Sequence, residues 1–134
     1  WHGSHPNRAP AIHLVLHGDG FGLGVGQWAM TADELAAHRA ALARPARRAK
    51  LKAALKTAES LGATLGDPEL ARLPKGVESI GEDDHFLRRK GLVARSHTRL
   101  PVPAELLGPG AVDYASTLIR AVAPVSDWLV KTTA

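Results

Sequence analysis

The chain has no cysteine among its 134 residues. That excludes a disulfide framework and thiolate chemistry, and it suits a reducing cytoplasm. Aromatic residues are scarce, at 4%, so the core must be built mainly from alanine and leucine, with close packing of helices on strands. No apolar run approaches the roughly 20 residues of a membrane span, and no secretory leader pattern opens the chain. No G-x-S-x-G elbow, P-loop or other nucleophile signature is present. Positive charge is in only modest excess, with 17 Lys and Arg against 13 Asp and Glu. No basic run is interleaved with stacking aromatics, so a mildly basic soluble protein is a better reading than a nucleic-acid binder. One domain is expected for this length, and 45% hydrophobic residues are enough to form a core. Because the chain opens on Trp1, it reads as a fragment or an N-terminally incomplete chain.

What is present begins with two alternating runs. Ile12, Leu14 and Leu16 interleave with His13, Val15 and His17; Phe21, Leu23 and Val25 interleave with Gly20, Gly22, Gly24 and Gly26. Period-two alternation predicts strands, and His17-Gly18-Asp19-Gly20 between them predicts a hairpin turn. The second strand thereby carries a row of glycines on one face. Such a row admits close approach of another backbone. The first reading is that helices lie flush on it; the alternative is a ligand groove floored by backbone. The spacing is not a dinucleotide fingerprint, which needs a tight turn and a helix start.

Further along, Thr31-Ala32-Asp33-Glu34 is a capping box opening a helix to about Ala43. A second helix is expected from about Ala46 to Leu61, burying Leu51, Ala54, Leu55, Ala58 and Leu61. Its Arg47, Arg48, Lys50, Lys52 and Lys56 read as solvated, with a basic nucleic-acid face as the lesser alternative. A short strand at Ala63–Leu65 and a short helix ending at Arg72 follow. Asp83 or Asp84 is expected to cap a helix to about Lys90. Gly91 to Leu100 alternates as a strand, with Leu92, Ala94, Ser96 and Thr98 on one face and Val93, Arg95, His97 and Arg99 on the other. A long C-terminal helix from about Pro109 to Lys131 should bury Val112, Ala115, Leu118, Ile119 and Val122. Pro124 should kink or split it, and Trp128 and Leu129 should close over the core.

The chemistry-bearing groups are few. His13 and His17 share a strand face but stand about 13 Å apart, too far to chelate one ion, so no metal site is expected. Glu82-Asp83-Asp84-His85 could orient a general base, although acids before a helix are ordinarily caps. Lys75, Arg88, Arg89, Lys90, Arg95, His97 and Arg99 form a cationic cluster. If the last strand is an edge, Arg95, His97 and Arg99 project side by side and call for an anion, or for carboxylates such as Glu78, Glu82 or Asp83.

With these residues in view, the chain resembles the bacterial domain-of-unknown-function family 2461. The likeness runs through Gly22-Leu23-Gly24-Val25-Gly26-Gln27-Trp28, the Thr-x-x-Glu-Leu helix start at Thr31 to Leu35, Leu73-Pro74-Lys75-Gly76, and Asp84-His85 leading into Leu87, Lys90 and a strand. It closes with Ala123-Pro124 and Trp128-Leu129. The family's usual opening helical segment, with Asn, Arg and Trp-Phe, has no counterpart here, so a site shared with it would be incomplete. The resemblance implies an α+β fold and carries over no activity.

The expectation is therefore a single cytoplasmic α+β domain. It should have a mostly antiparallel sheet, helices on one face and a long C-terminal helix. Its function would be to bind a small anionic ligand or a protein partner through Lys75, Lys90, Arg95, Arg99, Gly22 and Gly24, with no cofactor. The alternative is an enzyme acting on an anionic substrate with His85 or His97 as acid–base group. Weak nucleic-acid contact through the basic helix comes last.

Overall fold

Residues 10–97 and 99–133 are described by the structure, a computed structural model. The alternating runs form strands β1 (Ala11–His17) and β2 (Gly20–Gln27), paired antiparallel with Leu14 opposite Leu23 and His13 opposite Gly24. Helices α1 (Ala32–Leu42) and α2 (Pro45–Ser60) follow. Thr31 and Glu34 close the expected capping box, with the Glu34 amide donating to Thr31 Oγ1 at 3.2 Å and the Thr31 amide to Glu34 Oε1 at 2.9 Å. Pro45 sits in the first turn of α2, where a missing N–H costs nothing. Next come β3 (Thr64–Leu65), the short helix α3 (Asp84–Leu87), β4 (Leu92–Arg95) and α4 (Ala111–Thr133).

The sheet order is β1-β2-β4-β3, antiparallel throughout. Alternation divides it into two faces. Phe21, Leu23, Val25, Leu92 and Ala94 point to one side and are buried with Leu118, Val122, Val125 and Leu129 of α4 and with Leu51, Ala54 and Ala58 of α2. Helix α4 packs against β1, β2, α1 and α2. The fold is thus α+β, with the helices gathered on the apolar face.

Several expectations are corrected. The last strand is not an edge; β4 lies between β2 and β3. It also stops at Arg95, because the Leu23 amide donates to Ser96 Oγ at 3.1 Å instead of to a strand carbonyl. Pairing resumes only at Leu100 opposite Phe21. Thr98 lies outside the described residues. The stretch before Arg72 is no helix. Its polar groups go to the 88–90 segment: the Leu70 amide donates to Arg88 O at 2.9 Å, and Glu69 Oε2 accepts from the Lys90 amide at 3.2 Å.

Neither aspartate caps α3 in the expected way. Asp83 is drawn inward to Arg48 Nε at 3.0 Å and Lys52 Nζ at 3.1 Å, so these two cations of α2 are held by a carboxylate. Asp84 instead closes the turn before it, accepting from the Ile80 amide and Ser79 Oγ at 2.6 Å each, and these bonds hold its carboxyl below the usual range. In α4 the buried stripe is Leu118, Val122, Val125 and Leu129, while Val112 and Ile119 face solvent. Pro124 does not divide the helix. Trp128 and Leu129 are buried as expected, and the Trp128 indole donates to Arg47 O at 2.9 Å.

Candidate functional site

The second sheet face is the informative one. Because the apolar residues of β2 all turn toward the helices, its glycines turn away from them. Gly22, Gly24 and Gly26 floor a groove walled by His13, Val15 and His17 of β1 and by Val93 and Arg95 of β4, with no α-helical residue in its lining among the described residues. Among the described residues the helices do not lie flush on the glycine row, which faces a groove instead. The glycines are not equivalent. Gly26 has φ +142°, and a Cβ there would collide with the Leu92 carbonyl, so the chain itself requires glycine. At Gly24 the nearest atoms to an added Cβ are Arg95 Cβ at 3.5 Å and Ala94 O at 3.7 Å, and at Gly22 they are His17 Nε2 and Ser96 Oγ at 3.7 Å. Those are ordinary contacts. Among the described residues, no contact demands a bare backbone at positions 22 and 24.

Beyond Arg95 the groove passes into a cleft of about 520 Å³. Trp28, 52% exposed, stands at the join with the Arg95 guanidinium 5.5 Å from its ring centroid. The far wall is the 66–69 loop and the inner wall is Arg89. Arg89 is 7% exposed. Its Nη1 donates to Gly66 O at 2.6 Å and its Nη2 lies 3.5 Å from His85 Nδ1, while its buried Nε has no hydrogen-bond partner among the described residues. No carboxylate among the described residues lies within ion-pairing distance of it. Burial lowers its pKa, with Glu69 and Asp67 opposing from a distance, yet a guanidinium stays charged at neutral pH. A cation taken out of water without a counter-ion carries a penalty on the order of several kcal/mol.

Arg89 also borders a second cavity, of about 650 Å³, between α2 and α3, where His85 is found. The His85 ring stacks on Phe86 at 4.1 Å. Burial first, and Arg89 second, lower its pKa, which favours the neutral ring. With Arg89 donating toward Nδ1, the ring proton sits on Nε2. His97 lines the first cleft and donates from Nε2 to Thr64 O at 3.1 Å. The two candidate acid–base histidines therefore occupy different cavities.

Of the residues expected to bind a ligand, Gly22, Gly24 and Arg95 come together. Arg99 does not join them; it pairs with Asp19 at the hairpin turn. Lys75 and Lys90 are exposed and line none of these cavities. The side-by-side row of Arg95, His97 and Arg99 is not formed, because β4 ends at Arg95. Arg89, the most constrained cation, was legible only as one of three in a row. The signal was its place three residues after Phe86, on the inward side of a helical turn. Among the described residues no three His, Asp or Glu side chains converge as for a metal ion, and no helix is long and apolar enough to cross a membrane.

These features define a two-layer α+β domain with one sheet face packed by helices and the other hollowed into a groove with a buried arginine at its end. The chain belongs to the family DUF2461, described as conserved hypothetical proteins, which it matches over residues 1–128. No curated protein and no solved structure matches it.

Proposed function

We propose that this is a cytoplasmic binding domain for a small anionic molecule, held in the cleft between Trp28, Arg89 and Arg95. The observation that carries the reading is Arg89: a guanidinium 7% exposed, in the wall of the cleft, with no carboxylate in direct contact among the described residues. An anion against the guanidinium would supply the contact charge it lacks, and charge-assisted bonds of this kind are among the stronger ones available. The cleft volume lies within the roughly 300–1,000 Å³ common for ligand sites. Binding is favoured over catalysis because His85 and His97 do not share a cavity. It is favoured over nucleic-acid contact because Arg48 and Lys52 of the basic helix are held by Asp83, and Arg47 by Thr132 Oγ1 at 2.6 Å.

The test is thermal shift of the wild-type chain and the Arg89→Gln variant with inorganic phosphate, sulfate and a panel of small carboxylates with and without an amino group, each at millimolar concentration. At least one of these raises the wild-type Tm, and the rise disappears in the variant. A panel in which none acts, or in which the variant responds like the wild type, defeats the reading.

A further inference from the structure

The cleft is not simply basic. It sets Arg89 and Arg95 against Asp67 and Glu69 within one cavity. Opposite charges on flexible, hydrated stems ordinarily gain by meeting. Here no arginine–carboxylate pair in the cleft lies within 4.0 Å among the described residues, although the field of both carboxylates is felt at Arg89. The loop carrying the two acids is restrained: Gly66 O is held by Arg89, the Leu70 amide donates to Arg88 O, and Glu69 Oε2 receives the Lys90 amide. The charges are thus held apart, with a gap between them.

We infer that the cleft takes a zwitterion, a free α-amino acid or a similarly small aminocarboxylate, with its carboxylate toward Arg89 and Arg95 and its ammonium toward Asp67 and Glu69. This rests on the anion-binding reading of the same cleft and narrows it. Complementarity of charge selects partners mainly by excluding wrong ones. A phosphate ester would gain Arg89 and face two carboxylates; a simple amine would gain the carboxylates and face two guanidinia. Only a ligand carrying both charges on one small frame meets neither repulsion. The half-exposed Trp28 ring at the mouth offers apolar surface to the rest of the ligand.

The experiment is calorimetric titration of the wild-type chain with the twenty L-amino acids, followed, for each that binds, by its des-amino acid and its α-amino amide. The zwitterion binds at least about tenfold more tightly than either half-charged analogue, the worth of one charge-assisted contact. The double variant D67N/E69Q abolishes the preference for the amino acid over its des-amino analogue, and binds that analogue at least as tightly as the wild type does, which also reports that the variant is folded. If des-amino acids or inorganic phosphate bind as tightly as amino acids, or if the double variant changes nothing, the zwitterion inference is overturned while the anion reading stands. If no amino acid, carboxylate or phosphate binds, both fall.

Discussion

One sheet presents two faces made of alternate residues from the same strands, and they have been built to opposite ends. The helix-covered face is apolar and complete: Leu23, Val25, Leu92 and Ala94 are 2% exposed or less. The other face holds Gly22 and Gly24 without side chains, an aromatic ring half in solvent and, at its edge, a buried guanidinium with no carboxylate in direct contact among the described residues. The first face accounts for stability, because burial of apolar area is the dominant favourable term in folding. The second contains features that cost stability, which the fold has no reason to keep for its own sake. Where local structure works against stability while the rest of the molecule supports it, a site is the natural explanation.

The comparison breaks first if the two faces respond alike to truncation. Leu129→Ala removes a side chain that is fully buried against the covered face. It should cost about 2–5 kcal/mol, the range for large-to-small changes in a packed core. Val15→Ala, on the open face and 48% exposed, should cost about 0.5 kcal/mol or less. Urea denaturation of both variants measures the difference, and near-equal losses would show that the open face is packed in solution.

A second prediction sharpens the covered side. His38 of α1 is fully buried, edge-on to Trp128 at 5.4 Å, with neither ring nitrogen hydrogen-bonded among the described residues. Burial, aided by neighbouring Arg39, lowers its pKa from the ordinary 6.5 to about 4. Between those values the unfolded chain binds a proton that the folded chain does not. Stability is therefore full above about pH 6.5, falls as pH drops toward 4, and is level below that as far as this group is concerned. The loss amounts to about 3 kcal/mol. His38→Leu should remove most of this dependence between pH 7 and about pH 4.5 in parallel urea titrations. An unchanged slope in the variant would mean that carboxylates account for the acid sensitivity.

The sequence showed local pattern well and long-range placement poorly. The hairpin, the capping box and the α2 stripe are set by neighbours within one strand or a turn or two of helix, and all were readable. Alternation shows which residues share a face, but which face is covered depends on where α4 returns, about a hundred residues later. That is why alternation alone does not tell which side of the sheet the glycine row faces. The position of β4 inside the sheet depends on β2 and β3 both reaching it, which no local signal encodes. In α4, apolar residues lie nearly all round the upper half, so the stripe could be taken one position out of phase, as with Val112 and Ile119. Arg89 was hidden in Arg88-Arg89-Lys90, where charge alone does not say which of three cations turns inward.

The smallest effect is the most discriminating. Gly24→Ala adds one methyl to the groove floor, where its nearest protein neighbours would lie at ordinary contact distances of 3.5 and 3.7 Å and the backbone is not in the left-handed region. Stability should change by about 0.5 kcal/mol or less, since a methyl here creates no strain and glycine in a strand interior is itself slightly unfavourable. Gly24 opens into the groove beside Arg95 rather than into the cleft where the charges lie. A ligand confined to the cleft would then bind Gly24→Ala as it binds wild type, and one that extends along the groove would lose affinity with no loss of Tm in the free protein. Measuring both quantities on the same variant tells whether the bare strand belongs to the binding surface or only lies beside it.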